Sequence, residues 1–265
     1  MDVVSEIEQA FVAHWSVFGR WTHGRLYDES GVLWFETPIK HLPYNAVIRT
    51  QIQGEADGVI ADILHRFRSR DVPFFWLVHP SAKPDDLSER LAAQELKAVE
   101  NATGMSLELE TWEAVDPPEG AVYREVLDDD ELQAFHELTT AYWEIPDDQA
   151  PLVGQFQREW GPGRAPGHRY LAYVDGVPVG KGYLSVAGPP GIAAIYAMMT
   201  LPEARGRGVA SGLTTVLLRR AKQLGCKRVV LHSSDMAVGV YRRTGFVERC
   251  RFTVFATAPL WSHSH

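Results

Sequence analysis

A chain of 265 residues, 45% hydrophobic and 23% charged, has the length for one large or two small domains and the balance of a globular protein. Its 26 basic and 34 acidic residues give a formal net charge of -8, which excludes a chain built to coat nucleic acid. The two cysteines, Cys226 and Cys250, make no disulfide framework. No apolar run reaches transmembrane length, and the acidic start Met1-Asp-Val-Val-Ser-Glu-Ile-Glu has the wrong sign for a targeting peptide. A cytoplasmic protein with no membrane partner is expected.

Val3, Ile7, Phe11 and Trp15 recur at helical spacing and predict an amphipathic helix over about 3–16. Gly31 opens a strand over Val32-Leu-Trp-Phe35, and 46–53 is a second strand candidate. A helix is expected over about 56–69, with Val59, Ile63 and Phe67 on one face. Pro73 marks the start of the strand Phe74-Phe-Trp-Leu-Val78. A short helix over 86–94 follows, with Asp85 or Asp86 as its N-cap. Met105 to Glu110 alternates apolar and polar, as a half-buried strand does.

Glu113-Ala-Val-Asp-Pro-Pro-Glu-Gly120 interrupts every periodicity and reads as a linker. Beyond it, strand 122–126 leads to Asp128-Asp-Asp130, which caps a helix running to about Trp143 and stopped by Pro146. An irregular helix over 147–160 precedes strand 170–174, the Asp175-Gly176 hairpin turn and strand 177–186. The apolar run Ile195-Tyr-Ala-Met-Met199 predicts a buried strand. Helix 209–224, strand 228–232, a helix over 235–243 stopped by Gly245, and strand 250–256 complete the order. Ser233 or Ser234 is the expected cap of the last helix. Ser262-His-Ser-His265 is too short and irregular for a metal site and reads as a frayed end.

Between strand 195–199 and helix 209–224 lies a basic, Gly-rich turn, Pro202-Glu-Ala-Arg-Gly-Arg-Gly-Val-Ala-Ser211. The first amides of a helix have no intrahelical partner and carry partial positive charge. Glycines let a ligand approach that backbone, and Arg205 and Arg207 add full charges. The combination suits a phosphate-bearing ligand. The turn lacks the Gly-Lys-Ser/Thr ending of a nucleotide-binding P-loop, and it fits a dinucleotide fingerprint poorly.

The segment Arg205-Gly-Arg-Gly208-Val-Ala210, with Pro202 upstream, resembles the cofactor motif of the Gcn5-related N-acetyltransferases (GNAT family). That family's second mark, a Tyr four residues before Gly-Phe, is matched by Tyr241-Arg-Arg-Thr-Gly245-Phe246. The resemblance covers about 120–258 well and 1–115 faintly. It implies an α/β fold of two tandem acyl-CoA N-acyltransferase-like (GNAT-like) mixed-sheet units, the first degenerate: 1–115 a structural unit walling the acceptor site, 120–265 catalytic. It implies acetyl-CoA as co-substrate. Amides of Arg207, Gly208, Val209, Ala210 and Ser211 would take the diphosphate, with Gly206 keeping the turn clear and Arg205 beside it. Backbone at Met198, Met199 and Thr200 would align the pantetheine arm and polarise the thioester carbonyl. Tyr241 is the expected acid for the departing thiolate, beside the cofactor; His232 and Glu144 are candidate bases, and Ser234 a further cofactor contact. Tyr142, Trp143, Phe156 and Trp160 fall where the family builds its acceptor pocket.

The order helix 56–69, strand 74–78, helix 86–94, strand 105–110 recurs as helix 209–224, strand 228–232, helix 235–243, strand 250–256. Leu91 and Tyr241 lie 150 residues apart, as do Leu96 and Phe246, and His79 and His232 lie 153 apart. The first copy has Gln53-Gly-Glu-Ala-Asp-Gly58 in place of the basic turn and Leu91 in place of Tyr241, so no acyl-CoA is expected there.

The leading expectation is an acetyl-CoA-dependent N-acetyltransferase acting on a primary amine of a small molecule or peptide. The alternatives are a non-catalytic acyl-CoA-binding regulatory module and a tandem transferase using an aminoacyl donor. No metal is expected, because the ten histidines are scattered and neither Cys-x-x-Cys nor His-Glu-x-x-His occurs. No nucleic-acid partner is expected; a homodimer is allowed.

Overall fold

The computed structural model describes residues 2–117 and 119–258. In the first half of the chain the elements are α1 (Val3–Arg20), β1 (Arg25–Glu29), β2 (Val32–Glu36), β3 (Ala46–Thr50), α2 (Asp57–Ser69), β4 (Phe75–Val78), α3 (Leu87–Ala93) and β5 (Lys97–Glu108). The second half contributes β6 (Val122–Glu125), α4 (Asp129–Trp143), α5 (Ala150–Glu159), β7 (Gly167–Val174), β8 (Val177–Ser185), β9 (Ile192–Thr200), α6 (Val209–Gln223), β10 (Arg228–Ser233), α7 (Val238–Arg243) and β11 (Val247–Ala256). They form two compact units. The first takes the chain up to His14 and Thr103–Arg249; the second takes Trp15–Ala102 and the chain from Cys250 onward. Of the segment read as a linker, residues 113–117 and 119–120 lie within the first unit.

In the first unit the strand order is β5-β10-β9-β8-β7-β6. β10 runs parallel to β9, and the other pairings are antiparallel. Parallel strands need a crossover, and α6 provides it. Val209, Leu213, Leu217, Leu218 and Ala221 of α6 bury against Ala172, Leu184, Ala193, Ile195, Val229 and Leu231 on one face of the sheet. Each such leucine contributes about 1.5–3 kcal/mol through apolar burial. α4 covers the opposite face, packing Leu132, Phe135 and Leu138 against Leu171 and Met199. Asp128 starts α4 as expected: its side chain accepts from the Glu131 amide at 2.8 Å, and Glu131 Oε2 accepts from the Leu127 amide at 2.8 Å.

In the second unit the order is β1-β2-β3-β4-β11, with β3 and β4 parallel. α2 buries Ile60, Ile63, Leu64 and Phe67 against Trp34, Val47, Phe74 and Trp76. Each unit is completed by a strand from the other half of the sequence. Thr103–Glu108 of β5 pairs with β10, and Thr253–Ala256 of β11 pairs with β4.

Several elements differ from the sequence expectation. The β1–β2 hairpin, turning at Ser30 and Gly31 with φ of 52 and 78, replaces a lone strand; its first strand is mostly exposed and carried no apolar signal. β5 begins at Lys97 and not near Met105, because its first five residues are polar or only partly buried. Asp86 stands at the N-cap position of α3 as expected, but without a side-chain cap bond: its carboxylate accepts from Arg90 Nε at 2.9 Å. Neither Ser233 nor Ser234 caps α7 with its hydroxyl. A turn precedes that helix, the Ser234 carbonyl accepts from the Ala237 and Val238 amides, and the Ser233 hydroxyl donates to it. The tail Ser262-His-Ser-His265 lies outside the described residues.

Candidate active site

The parallel β9–β10 ladder runs from Ile192↔Arg228 to Ile195↔Leu231 and stops, although β9 continues to Thr200 and β10 to Ser233. A bulge marks the place. Tyr183 pairs with Tyr196 and Lys181 with Met199, so two steps on β8 match three on β9. Ala197 absorbs the extra residue with φ of 53, in the left-handed region that a non-glycine residue rarely occupies. The main chain of Ala197 to Thr200 is therefore presented along an edge that β10 no longer covers. Met198 turns its thioether over Gly182, where a Cβ would meet Sδ at 2.6 Å; Met199 points to the opposite face, into the α4 packing.

Beyond β9, a single 3-10 turn (Pro202–Ala204) leads to Arg205, whose Nε donates to the Thr200 carbonyl at 3.4 Å. Gly206 and Gly208 have φ of 75 and 79, a conformation open to glycine at little cost. Gly208 is the N-cap of α6 and offers no side-chain cap. The first intrahelical bond runs from the Gly212 amide to the Gly208 carbonyl. The amides of Val209, Ala210 and Ser211 thus form an uncapped helix start. Arg205, Gly206 and Arg207 are exposed around it, and a Cβ on Gly206 would meet nothing within 4 Å. Chemically this is an anion cradle at the end of the uncovered β9 edge.

α7 brings in Tyr241, which is buried and lies edge-on to Phe246 at 5.8 Å between ring centroids. Burial, with the Tyr142 phenol adding to it, pushes its hydroxyl well above the ordinary tyrosine range. A phenol held that way stays protonated at neutral pH and can donate. Gly245 stops the helix with φ of 100, as the sequence implied. His232 sits near the end of β10 and not in the cradle: its ring lies edge-on to Phe11 at 4.7 Å and stacks near Tyr196 at 6.3 Å. Glu144 is an exposed residue with φ of 49 that ends α4. Ser234 is partly buried between β10 and the turn before α7.

A second group of residues, not anticipated from sequence, lies on the α4 face of the same strands. His14 stacks on Tyr196 at 3.9 Å, and burial plus the Arg169 charge push its imidazole down to about 3. Lys181 and Arg169 lie on that face. The available signal was Lys181 itself, a lone cation inside the strand Val177–Ser185.

Residues 132–246 match the model of the acetyltransferase (GNAT) family. This stretch is similar to that family. An 80-residue segment is 34% identical to the mycothiol acetyltransferase of Streptomyces avermitilis, covering 29% of this chain and 26% of that enzyme. A GCN5-related N-acetyltransferase from Kribbella flavida superposes with a TM-score of 0.70 at 18% identity, over 94% of this chain and 95% of the other. A tandem GNAT protein from the clavulanic acid biosynthesis pathway superposes with a TM-score of 0.61 at 14% identity, over 98% and 95%. The fold is the tandem acetyltransferase fold. The uncapped amides, paired glycines and flanking arginines of the GNAT stretch fit the acyl-CoA that the family uses. Among the described residues no group of three or more His, Cys, Asp or Glu could hold a metal ion, and no helix is long and apolar enough to cross a membrane.

Proposed function

We propose that the first unit transfers an acetyl group from acetyl-CoA directly to a primary amine of a small molecule or peptide. One observation carries the reading: an uncapped helix start, preceded by two exposed arginines, stands at the end of a strand edge that its parallel neighbour leaves uncovered. Amides of Arg207 to Ser211 would hold the diphosphate, with Arg205 beside them. Main chain at Met198 to Thr200 would hydrogen-bond the pantetheine arm, and one of its amides would polarise the carbonyl under attack. Acetyl-CoA, when bound, supplies the acyl group as an activated thioester. Tyr241 gives its proton to the departing sulfur. The amine must lose a proton before or during attack; His232, near the end of β10, is the candidate base we favour, with Glu144 or water as the other routes. The retained tyrosine favours an enzyme over a regulatory acyl-CoA binder.

Acetyl-CoA should raise the melting temperature of the protein, because it binds the native state alone. Tyr241→Phe should keep that rise while kcat falls roughly ten- to hundred-fold and KM for acetyl-CoA stays within about three-fold. Calorimetry and CoA-release kinetics measure both. An unchanged kcat would remove the tyrosine from the chemistry, and no thermal response at millimolar acetyl-CoA would remove the cradle.

A further inference from the structure

Lys181 is 2% exposed, in the middle of β8. Its ammonium donates to Thr139 Oγ1 at 2.8 Å and lies 4.5 Å from the Phe135 ring centre. Thr139 is already committed, donating to the Phe135 carbonyl and accepting from Gln157 Nε2. The charge acting on Lys181 is a second cation. Arg169 is half-buried, donates to the Trp160 carbonyl at 2.6 Å and stacks at 5.7 Å on Phe135 and on Tyr183. Burial first, and then Arg169, push the Lys181 amine down to about 7. Among the described residues no carboxylate pairs with either side chain.

A fully buried cation beside a half-buried one, with no counter-charge, is expensive. The lysine can shed its proton; the guanidinium cannot. Tyr196 adds a buried hydroxyl that has no hydrogen-bond partner among the described residues. The register fixes where these groups lie. Arg169, Tyr183 and Tyr196 form one row across β7, β8 and β9, and Leu171, Lys181 and Met199 form another. The β9 bulge lies between the two rows, and the bulge presents the main chain assigned above to the thioester. An anion held by these rows would sit a few ångströms from the transfer point, because facing residues on paired strands are about 4.5–5.5 Å apart.

We propose that Lys181, Arg169 and Tyr196 form a receptor for the carboxylate of the acceptor, so that the amine acetylated belongs to a small amino acid. The assignment rests on the acyl transfer proposed above and adds a requirement that transfer alone does not impose. A bound carboxylate would supply the missing counter-charge and take hydrogen bonds from the free N–H groups of Lys181 and from the tyrosine.

The test uses the full chain, acetyl-CoA and a panel of amino acids, each paired with its decarboxylated amine; O-phosphoethanolamine serves as the phosphate-bearing arm. The wild type should prefer the carboxylated member of its best pair at least a hundred-fold in kcat/KM. Lys181→Met, which conserves volume and removes the buried charge, should cut that preference at least ten-fold; Tyr196→Phe, which keeps the ring, should cut it about three-fold. Propionate, which cannot react, should raise the melting temperature of the wild type and not of Lys181→Met. Equal losses for both members of a pair, or no response of the wild type to propionate, would overturn the receptor. A preference for the phosphate arm would overturn the carboxylate assignment. Absence of any acetyl-CoA response would sink the transferase reading, while the propionate arm would still judge the receptor.

Discussion

The two halves of the sequence carry the same run of helix, strand, short helix and strand, yet the two units treat the start of the first helix in opposite ways. In the first unit the amides opening α6 meet no side-chain cap, and two positive-φ glycines hold back any obstruction. In the second, the Glu55 carboxylate accepts from the Asp57 and Gly58 amides at 2.8 and 3.1 Å. An anion already belongs to the chain there. The parallel strands differ as well. β9 and β10 part after Ile195 and Leu231, whereas the ends of β3 and β4 are tied across. The Ile52 amide donates to the Lys83 carbonyl, the Lys83 amide to the Thr50 carbonyl, and His79 Nε2 lies 2.6 Å from the Ile48 carbonyl. Leu91 is fully buried where its counterpart Tyr241 brings a hydroxyl. The same frame is thus kept as architecture where one of the chain's own carboxylates takes the amides of the helix start.

The sharpest way to break this comparison is to separate the halves. A chain starting at Glu119 lacks the β5 strand that pairs with β10. It should show no cooperative thermal transition by circular dichroism, because an open central edge and its apolar face are left uncovered. A stable, acetyl-CoA-responsive fragment would mean that the strand exchange is dispensable. Next in size, Gly208→Trp should abolish the acetyl-CoA thermal shift while lowering the ligand-free melting temperature only a few degrees, since a side chain at positive φ costs about 1–2 kcal/mol. The matching change in the second unit, Gly58→Trp, should leave the shift intact.

The buried histidine of the second unit predicts a pH effect of intermediate size. Burial holds His79 down at about 4. Between pH 6.5 and 4 the unfolded chain binds a proton that the folded chain refuses, so stability falls as pH drops through that window, by on the order of 3 kcal/mol. Above pH 6.5 this contribution is constant. His79→Gln should flatten the loss in urea titrations at pH 7, 5.5 and 4. The smallest effect belongs to Glu55→Ala, which frees the α2 amides. It should lower the melting temperature by roughly 2–4 °C and create no acetyl-CoA binding in the second unit, because the gap between β3 and β4 stays tied.

The turn from Pro202 to Ser211 and the Tyr241 to Phe246 segment were readable because their roles are local. A positive-φ glycine, a helix start and a helix stop are set by a few consecutive residues. Amphipathic periods likewise placed α2, α4 and α6 within a residue or two. The sequence could not reveal which strand completes which unit, since β5 and β11 read alike and only long-range pairing assigns them to β10 and β4. Nor could it show that Glu55 fills its own helix start, or that Lys181 and Arg169, twelve residues apart, stand together beside a bulge. Those outcomes depend on strand register and on charge brought together by packing, which no window of neighbouring residues encodes.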